Sequence, residues 1–285
     1  MRNLWFRGTG FLTLLLFLLL PPILIGQAWT LRWTLLTLFL FVAALAYRFR
    51  LFWVRYPLLA LSIGYFGFYE GSCLCETGAL ESLMVFLGLG RFSALLLPLI
   101  RVLLLLVVVF FFGNLFCGWV CQKGGVQEFL YRERWGLKLP VRVVFFLERI
   151  RYLVLAGLIV LPLLFHRRFF REVDPFRLLF NLDGPLFLLL ILLTFLLLSL
   201  FVYRPFCRFF CPLGALLGLV HRFSPGRIRV DHETCRADQA CTKECFSQAL
   251  HTLKAGEPPE LNTQNCYLCG QCSSRCPKGC IGRKG

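Results

Sequence analysis

Charge is scarce in this chain, and acid scarcer still: 16% of the 285 residues are charged, and 15 aspartates and glutamates stand against 31 lysines and arginines. With 58% hydrophobic residues and a mean hydropathy of +0.71, the composition excludes an ordinary soluble domain and implies a bundle of membrane-spanning helices. Missing motifs narrow the chemistry further. There is no Gly-rich phosphate loop, acid pair or Ser/His/Asp constellation, so hydrolytic and kinase chemistry have no residues to carry them. There is no Cys-x-x-Cys-His, and the four histidines (166, 221, 232 and 251) lie outside the apolar centres where a membrane haem would need axial ligands.

What the chain does have is apolar runs and cysteine. The runs 11–26, 30–47, 56–69, 92–116, 150–165 and 185–203 approach or reach the roughly 20 residues that cross a bilayer core, which predicts about six spans. The third and fifth are short enough to need flanking residues or a re-entrant turn. Residues 1–25 also read as a secretory signal, with Arg2 and Arg7 before an apolar core, but Pro21-Pro22 interrupts the run and no small-residue cleavage site follows. A net charge of +16 invites a nucleic-acid partner, yet its distribution argues for membrane topology. With the N-terminus inside, seventeen basic residues fall on inner segments and six on outer loops. The positive-inside rule then puts both chain ends in the cytoplasm, with membrane lipid and no nucleic acid as the neighbour.

Past residue 224 the composition changes, and eight of the fourteen cysteines fall in the last 51 residues. This divides the chain into a transmembrane helical part, 1–203, a helix and linker, 204–230, and a cysteine-rich domain, 231–285. The domain ends in Cys266-x2-Cys269-x2-Cys272-x3-Cys276-Pro277, the spacing of half a bacterial ferredoxin, where three thiolates hold one iron–sulfur cluster and the fourth reaches to a second. Zinc sites usually join two separated knuckles, and a disulfide framework does not suit a reducing compartment. The other half reads Cys235-x2-Asp238-x2-Cys241-x3-Cys245, with aspartate in the place of a cysteine and Phe246 in that of a proline. Crossed pairing assigns Cys245, Cys266, Cys269 and Cys272 to one 4Fe-4S cluster and Cys235, Cys241 and Cys276 to the other. Three readings of the second cluster stay open. Asp238 is a hard oxygen ligand or a spectator beside a 3Fe-4S cluster, Cys280 substitutes, or the cluster has degenerated. So few residues cannot offset their own ordering entropy with a core, so removing iron should unfold the tail.

Two further thiol pairs follow the fourth and sixth runs. Phe116-Cys117-x-Trp119-x-Cys121-x-x-Gly124-Gly125-Val126 repeats as Phe206-Cys207-x-Phe209-x-Cys211-x-x-Gly214-Ala215-Leu216, an internal duplication in parallel orientation. Thiols four apart share a helix face, and together the pairs would make a four-thiolate site beside the soluble clusters. Glycine three residues past the second thiol permits close backbone approach to a bulky ligand. The plainer reading is buried apolar cysteine, which repetition in register argues against. A partial third copy, Cys73-x-Cys75-x-x-Gly78-Ala79-Leu80, falls on the outer side by the span count. It reads as a redox or metal site there, or as a disulfide or packing. Glu70, Glu76 and Glu81 give that lip an acidic character. His166 reads as solvated, and Arg101 as snorkelling to the outer interface or holding an anionic ligand.

The frames "FCGWVCQKGG" and "FCRFFCPLGA", followed by the two-cluster tail, resemble the membrane polyferredoxins of the NapH/NosR type, over roughly residues 60–285. "CETGALES" at 75–82 resembles that family's outer-side motif, usually Cys-Pro-x-Gly-x-Leu-Glu. The chain departs from the pattern at Gln122 and Glu76, where proline is expected, and at Asp238. The resemblance implies an α-helical integral membrane bundle with a small α+β, bacterial two-cluster ferredoxin-like C-terminal domain, multi-pass in a bacterial cytoplasmic (inner) membrane. It implies an iron–sulfur relay of quinol dehydrogenase type, passing electrons between quinone or quinol, or a cytoplasmic donor, and a partner oxidoreductase. A further iron–sulfur or metal site would sit on the membrane cysteines. Without an outer flavin domain or a long C-terminal extension, a stripped-down subunit needing a partner is expected. A second expectation, of another class, is a metal-handling or assembly factor for a membrane oxidase.

Overall fold

The computed structural model describes residues 27–70, 76–252, 256–277 and 279–282, with the side chains of 27–33 left aside. The first apolar run and the Cys73/Cys75 pair lie outside the described residues.

Each remaining run is helical, but few are uninterrupted. Helix α1 (Gln27–Arg48) carries the second run. The third begins in α2 (Arg55–Ser62) and passes into a π-helical segment, Ile63–Tyr69. After α3 (Glu76–Gly88) comes α4 (Phe92–Phe112). Among the described residues, α4 is the one helix long and apolar enough by itself to cross a membrane. Helix α5 (Gln122–Leu130) follows a π-helical turn, Phe116–Val120. Helix α6 (Val141–Phe165) has 25 residues, but Arg142, Glu148, Arg149 and Arg151 load its first half with charge. Two short helices, α7 (Phe169–Val173) and α8 (Pro175–Asn181), precede α9 (Leu186–Phe201). Helices α8 and α9 would qualify together as a span but meet at 99°. Among the described residues, helix length and composition thus mark one span, or two with the bent pair; of the six hydropathy runs the first lies outside those residues, and breaks and early charges account for the others that fall short. Residues 166–184 fall between the fifth and sixth runs, on the outer side by the span count; residues 174–176 and 180 within them are buried, with Phe176 and Phe180 packing beside Phe206 and Cys207, while 166–167, 171–173 and 182–184 are exposed.

The core forms where apolar stripes meet. Leu36, Leu40 and Ala43 recur at helical spacing on α1 and pack with Leu105, Val108 and Val109 of α4. The opposite sides stay apolar without protein cover. On α9, Leu186 (71%), Leu190 (59%), Leu193 (45%) and Leu197 (61%) form an exposed apolar stripe, the kind of surface that marks an interaction with membrane or protein.

The duplicated frames share one architecture. Each apolar helix leads into a short turn holding the first cysteine, and the second cysteine opens a new helix. In the first copy these are α4, the turn at 116–120 and α5; in the second they are α9, α10 (Pro205–Phe209) and α11 (Pro212–Phe223). The tail holds two two-stranded ladders: β1 (Arg229–Val230) pairs with β4 (Ile281–Gly282), and β2 (Leu250–His251) with β3 (Glu260–Leu261), both antiparallel. Two single-turn helices, α12 (Ala240–Lys243) and α13 (Gln271–Ser274), carry Cys241 and Cys272. Packing crosses the compositional boundary at 230/231, since one core includes Leu36, Val109 and Trp119 together with Cys245, Leu268 and Ile281.

Candidate metal centres

The first thiol group is built by the two frames. Cys121 (φ −65°, ψ 116°) and Cys211 (φ −70°, ψ 113°) are the residues that cap α5 and α11. Their N–H groups donate to the carbonyls of Phe116 at 2.8 Å and Phe206 at 2.9 Å, one residue before each first cysteine. Each pair therefore straddles a bend and does not ride one helical face, which corrects the sequence expectation. At α11 the bend lets the Cys211 Sγ meet the helix start's need for acceptors, taking the Gly214 N–H at 3.3 Å; Cys121 makes no such side-chain cap. The four thiols of Cys117, Cys121, Cys207 and Cys211 come close enough for charge on one to be felt by the others. Burial, and then that mutual repulsion, pushes Cys117 and Cys207 well up; burial takes Cys211 to about 12. The frame glycines serve backbone closure. A Cβ on Gly124 would stand 3.3 Å from the Cys117 carbonyl and 2.6 Å from Arg204 Nη1, and one on Gly214 would stand 3.1 Å from the Cys207 carbonyl.

Charged residues that the sequence reading passed over encase this group. Glu128 receives Arg55 Nη2 at 2.5 Å, Arg204 Nε at 3.1 Å and the Tyr203 hydroxyl at 2.9 Å, and Arg204 Nη2 closes on the same oxygen. The two guanidiniums also cap the turn that holds Cys117: Arg204 Nη1 donates to Cys117 O at 2.5 Å, and Arg55 Nε to Gly118 O at 3.0 Å. Burial alone would raise the Glu128 carboxyl; Arg204 and Arg55 outweigh it and hold the group below its ordinary range. Gln127 ties the two frames, accepting from Phe206 N at 2.9 Å and donating to Cys207 Sγ at 3.2 Å. Lys123, whose charge reaches Cys211, forms a buried ion pair with Asp174. The signal available in the sequence was charge next to an apolar frame, since such residues are buried only with partners.

The tail lies directly on this group. Trp119 Nε1 donates to Leu268 O at 3.0 Å, and a Cβ on Gly118 would overlap the Tyr267 carbonyl oxygen. The Tyr267 ring stacks 5.0 Å from the Arg204 guanidinium, in electrostatic reach of Cys207 and Cys117. Just beyond, Cys245, Cys266 and Cys269 surround Cys272, whose thiol is raised by burial and then by these neighbours. Leu250 N donates to Cys245 Sγ at 3.4 Å. A third grouping joins Cys241 with Cys235 and Cys276, and Cys280 Sγ lies 3.1 Å from Cys276 Sγ. Asp238 is exposed, its Oδ1 accepting from Ala240 N at 3.2 Å.

The acidic lip expected near residues 70–81 is not an exposed surface at two of its three members. Glu76 is buried and pairs with Arg101 at 3.5 Å. Glu81, fully buried, accepts the backbone N–H groups of Phe170 at 2.6 Å and Arg171 at 3.2 Å, capping α7. Arg101 thus holds a protein carboxylate, while His166 is exposed at the end of α6.

Among the described residues no three His, Cys, Asp or Glu side chains close on one point as a single ion requires, and no disulfide is seen. Metal–sulfur bonds of about 2.3 Å demand such closure around one zinc. Thiolates at the corners of a cubane stand farther apart, and the first two groupings each offer the four donors a cubane takes, while the third has Cys235, Cys241 and Cys276 with Cys280 close beside Cys276. Backbone and amide N–H groups aimed at sulfur fit thiolates that carry charge once loaded.

The family described as "4Fe-4S binding domain" matches the chain twice, at residues 94–141 and 185–231, one frame in each. Frame, donor set and match define an iron–sulfur electron-transfer protein. Uncharacterized protein MJ0750 of Methanocaldococcus jannaschii is 34% identical over 224 residues, 76% of this chain and 89% of that protein. Regulatory protein NosR of Stutzerimonas stutzeri is 28% identical over 58% of this chain and 24% of its own length. Ferredoxin-type protein NapH of Escherichia coli is 28% identical over 57% of this chain and 59% of its own. The chain belongs to the NapH/NosR-type polyferredoxin family. No solved structure matches it.

Proposed function

We propose that the chain is a membrane-bound, multi-cluster relay that passes single electrons between quinol or quinone and a partner oxidoreductase. Clusters would be held by Cys117, Cys121, Cys207 and Cys211, by Cys245, Cys266, Cys269 and Cys272, and by a third set around Cys235, Cys241 and Cys276. Bound there, iron–sulfur clusters supply reversible one-electron storage at potentials set by charge, hydrogen bonds to sulfur and exposure. The carrying observation is contiguity: Tyr267, between two tail cysteines, stacks on the Arg204 that caps the Cys117 carbonyl. The protein's own contribution is to fix that spacing, exclude water from the interface and balance charge with Arg55, Arg204 and Lys123.

The exposed leucine stripe of α9 and the apolar α4 support insertion in a bilayer, and the distribution of basic residues supports a cytoplasmic side for the tail and both chain ends. In that arrangement residues 169–181 form a re-entrant segment, consistent with the burial of Asp174 and Phe176. Iron and acid-labile sulfide, counted on anaerobic wild type and on a Cys117→Ser/Cys207→Ser double variant, test the reading. One cluster fewer in the variant, with slower reduction by quinol, is expected; equal counts would remove the membrane-side cluster.

A further inference from the structure

The first half of the tail lacks a thiolate at residue 238, and the fold brings a cysteine from the other end of the tail close to it. Strands β1 and β4 pair with Val230 opposite Ile281, and Asp231 N donates to Cys280 O at 2.8 Å. This ladder ties the last cysteine to the segment that leads into Cys235. A tight turn then sets Cys280 against Cys276, with Gly279 N donating to Cys276 O at 3.2 Å and Gly279 in the left-handed region at φ +64°, where glycine is unstrained. Cys280 is 7% exposed, and its Sγ lies 3.1 Å from Cys276 Sγ and within electrostatic reach of Cys235; two thiolates on one cubane stand farther apart, so loading requires one of the pair to turn to a neighbouring rotamer. Asp238 does the opposite, facing solvent with one oxygen engaged by its own backbone two residues on, the usual local role of an aspartate at a turn. Iron in a sulfur cage also prefers a soft thiolate to a hard carboxylate.

Resting on the relay reading above, we infer that Cys280 is the fourth ligand of the outer cluster, completing Cys235, Cys241 and Cys276, and that Asp238 is a turn-forming residue outside the ligand set. The outer cluster is then an all-thiolate cubane, and its fourth ligand arrives only when the β1–β4 ladder closes.

The full chain, purified without oxygen as wild type, Asp238→Ala, Cys280→Ser and Cys280→Ala, decides this through iron and sulfide counts with electron paramagnetic resonance. Asp238→Ala is expected to keep the wild-type count and spectrum. Cys280→Ala is expected to lose one iron or one whole cluster, with a three-iron signal in the former case, while the signals of the other clusters persist and report an intact fold. Cys280→Ser is expected to retain the cluster with a shifted signal. Loss of the cluster in Asp238→Ala, or an unaltered spectrum in Cys280→Ala, would overturn the assignment and leave the relay intact. A Cys276–Cys280 disulfide found by mass spectrometry in iron-loaded protein would do the same. Wild type devoid of iron would overturn the relay and the assignment together. Should Cys280→Ala fail to fold, Cys280→Ser carries the test: a spectrum identical to wild type there, or a wild-type cluster of only three irons on Cys235, Cys241 and Cys276, would overturn the assignment.

Discussion

Glu128→Gln is the most informative single change in the charge network. The substitution keeps the size and an acceptor oxygen but removes the one negative charge between Arg55 (2% exposed) and Arg204 (0% exposed). A pair of unit charges about 4 Å apart interacts by about 4 kcal/mol at an effective dielectric of 20, and two such pairs are lost. Desolvation offsets part of this, so the net cost of leaving two guanidiniums buried and facing each other is roughly 3–5 kcal/mol. Melting of the iron-loaded protein in detergent should show a clear loss of stability. The pH dependence follows from the direction of the shift. Held below its ordinary value near 4.5, Glu128 contributes stability that is fully present above that value and lost as pH falls through the depressed one. Wild type and variant should therefore differ at neutral pH and converge in acid. The uncompensated positive charge beside Cys117 should also raise the potential of the nearest cluster, on the order of 50 mV, in a redox titration. Equal melting at neutral pH, or a potential that moves down, would refute the reasoning.

Gly118→Ala should loosen the tail, because the added methyl overlaps the Tyr267 carbonyl; overpacking costs about 1–3 kcal/mol, and faster proteolysis between residues 224 and 235 would report it. Lys123→Met strands Asp174 in the interior and should cost roughly 3–5 kcal/mol. Lys123→Met/Asp174→Leu should recover most of that loss, and a double variant no more stable than the single would count against a pair interaction. Chelation of iron should unfold the tail selectively, read as lost protection of residues 231–282 in hydrogen exchange while α4 stays protected; tail protection unchanged after iron removal would contradict it.

The thiol frames were legible because duplication in register survives in a linear string. The bend at Cys121 and Cys211 was not, since a spacing of four reads as one helical face until the cap dihedrals are known. Glu128 lies 73 residues from Arg55 and 76 from Arg204, and nothing local marks the three as partners. In the sequence Arg55 and Arg204 were counted toward membrane orientation, a surface role, while their side chains are wholly interior. Residues 166–184 fall between two apolar runs and so count as a loop; the burial of residues 174–176, with Asp174 paired to Lys123, depends on a partner 51 residues away that no local pattern marks. Asp238 took a cysteine's place by alignment alone, and only the register of β1 on β4 reveals which side chain stands near Cys235.

Tyr267 and Leu268 lie against the turn that holds Cys117, the Tyr267 ring over Arg204 and the Leu268 carbonyl on Trp119, while Cys121 and Cys211 stay partly exposed. Docking of the tail and burial of the Cys117 turn are thus one event, and release of the tail would bare that turn first.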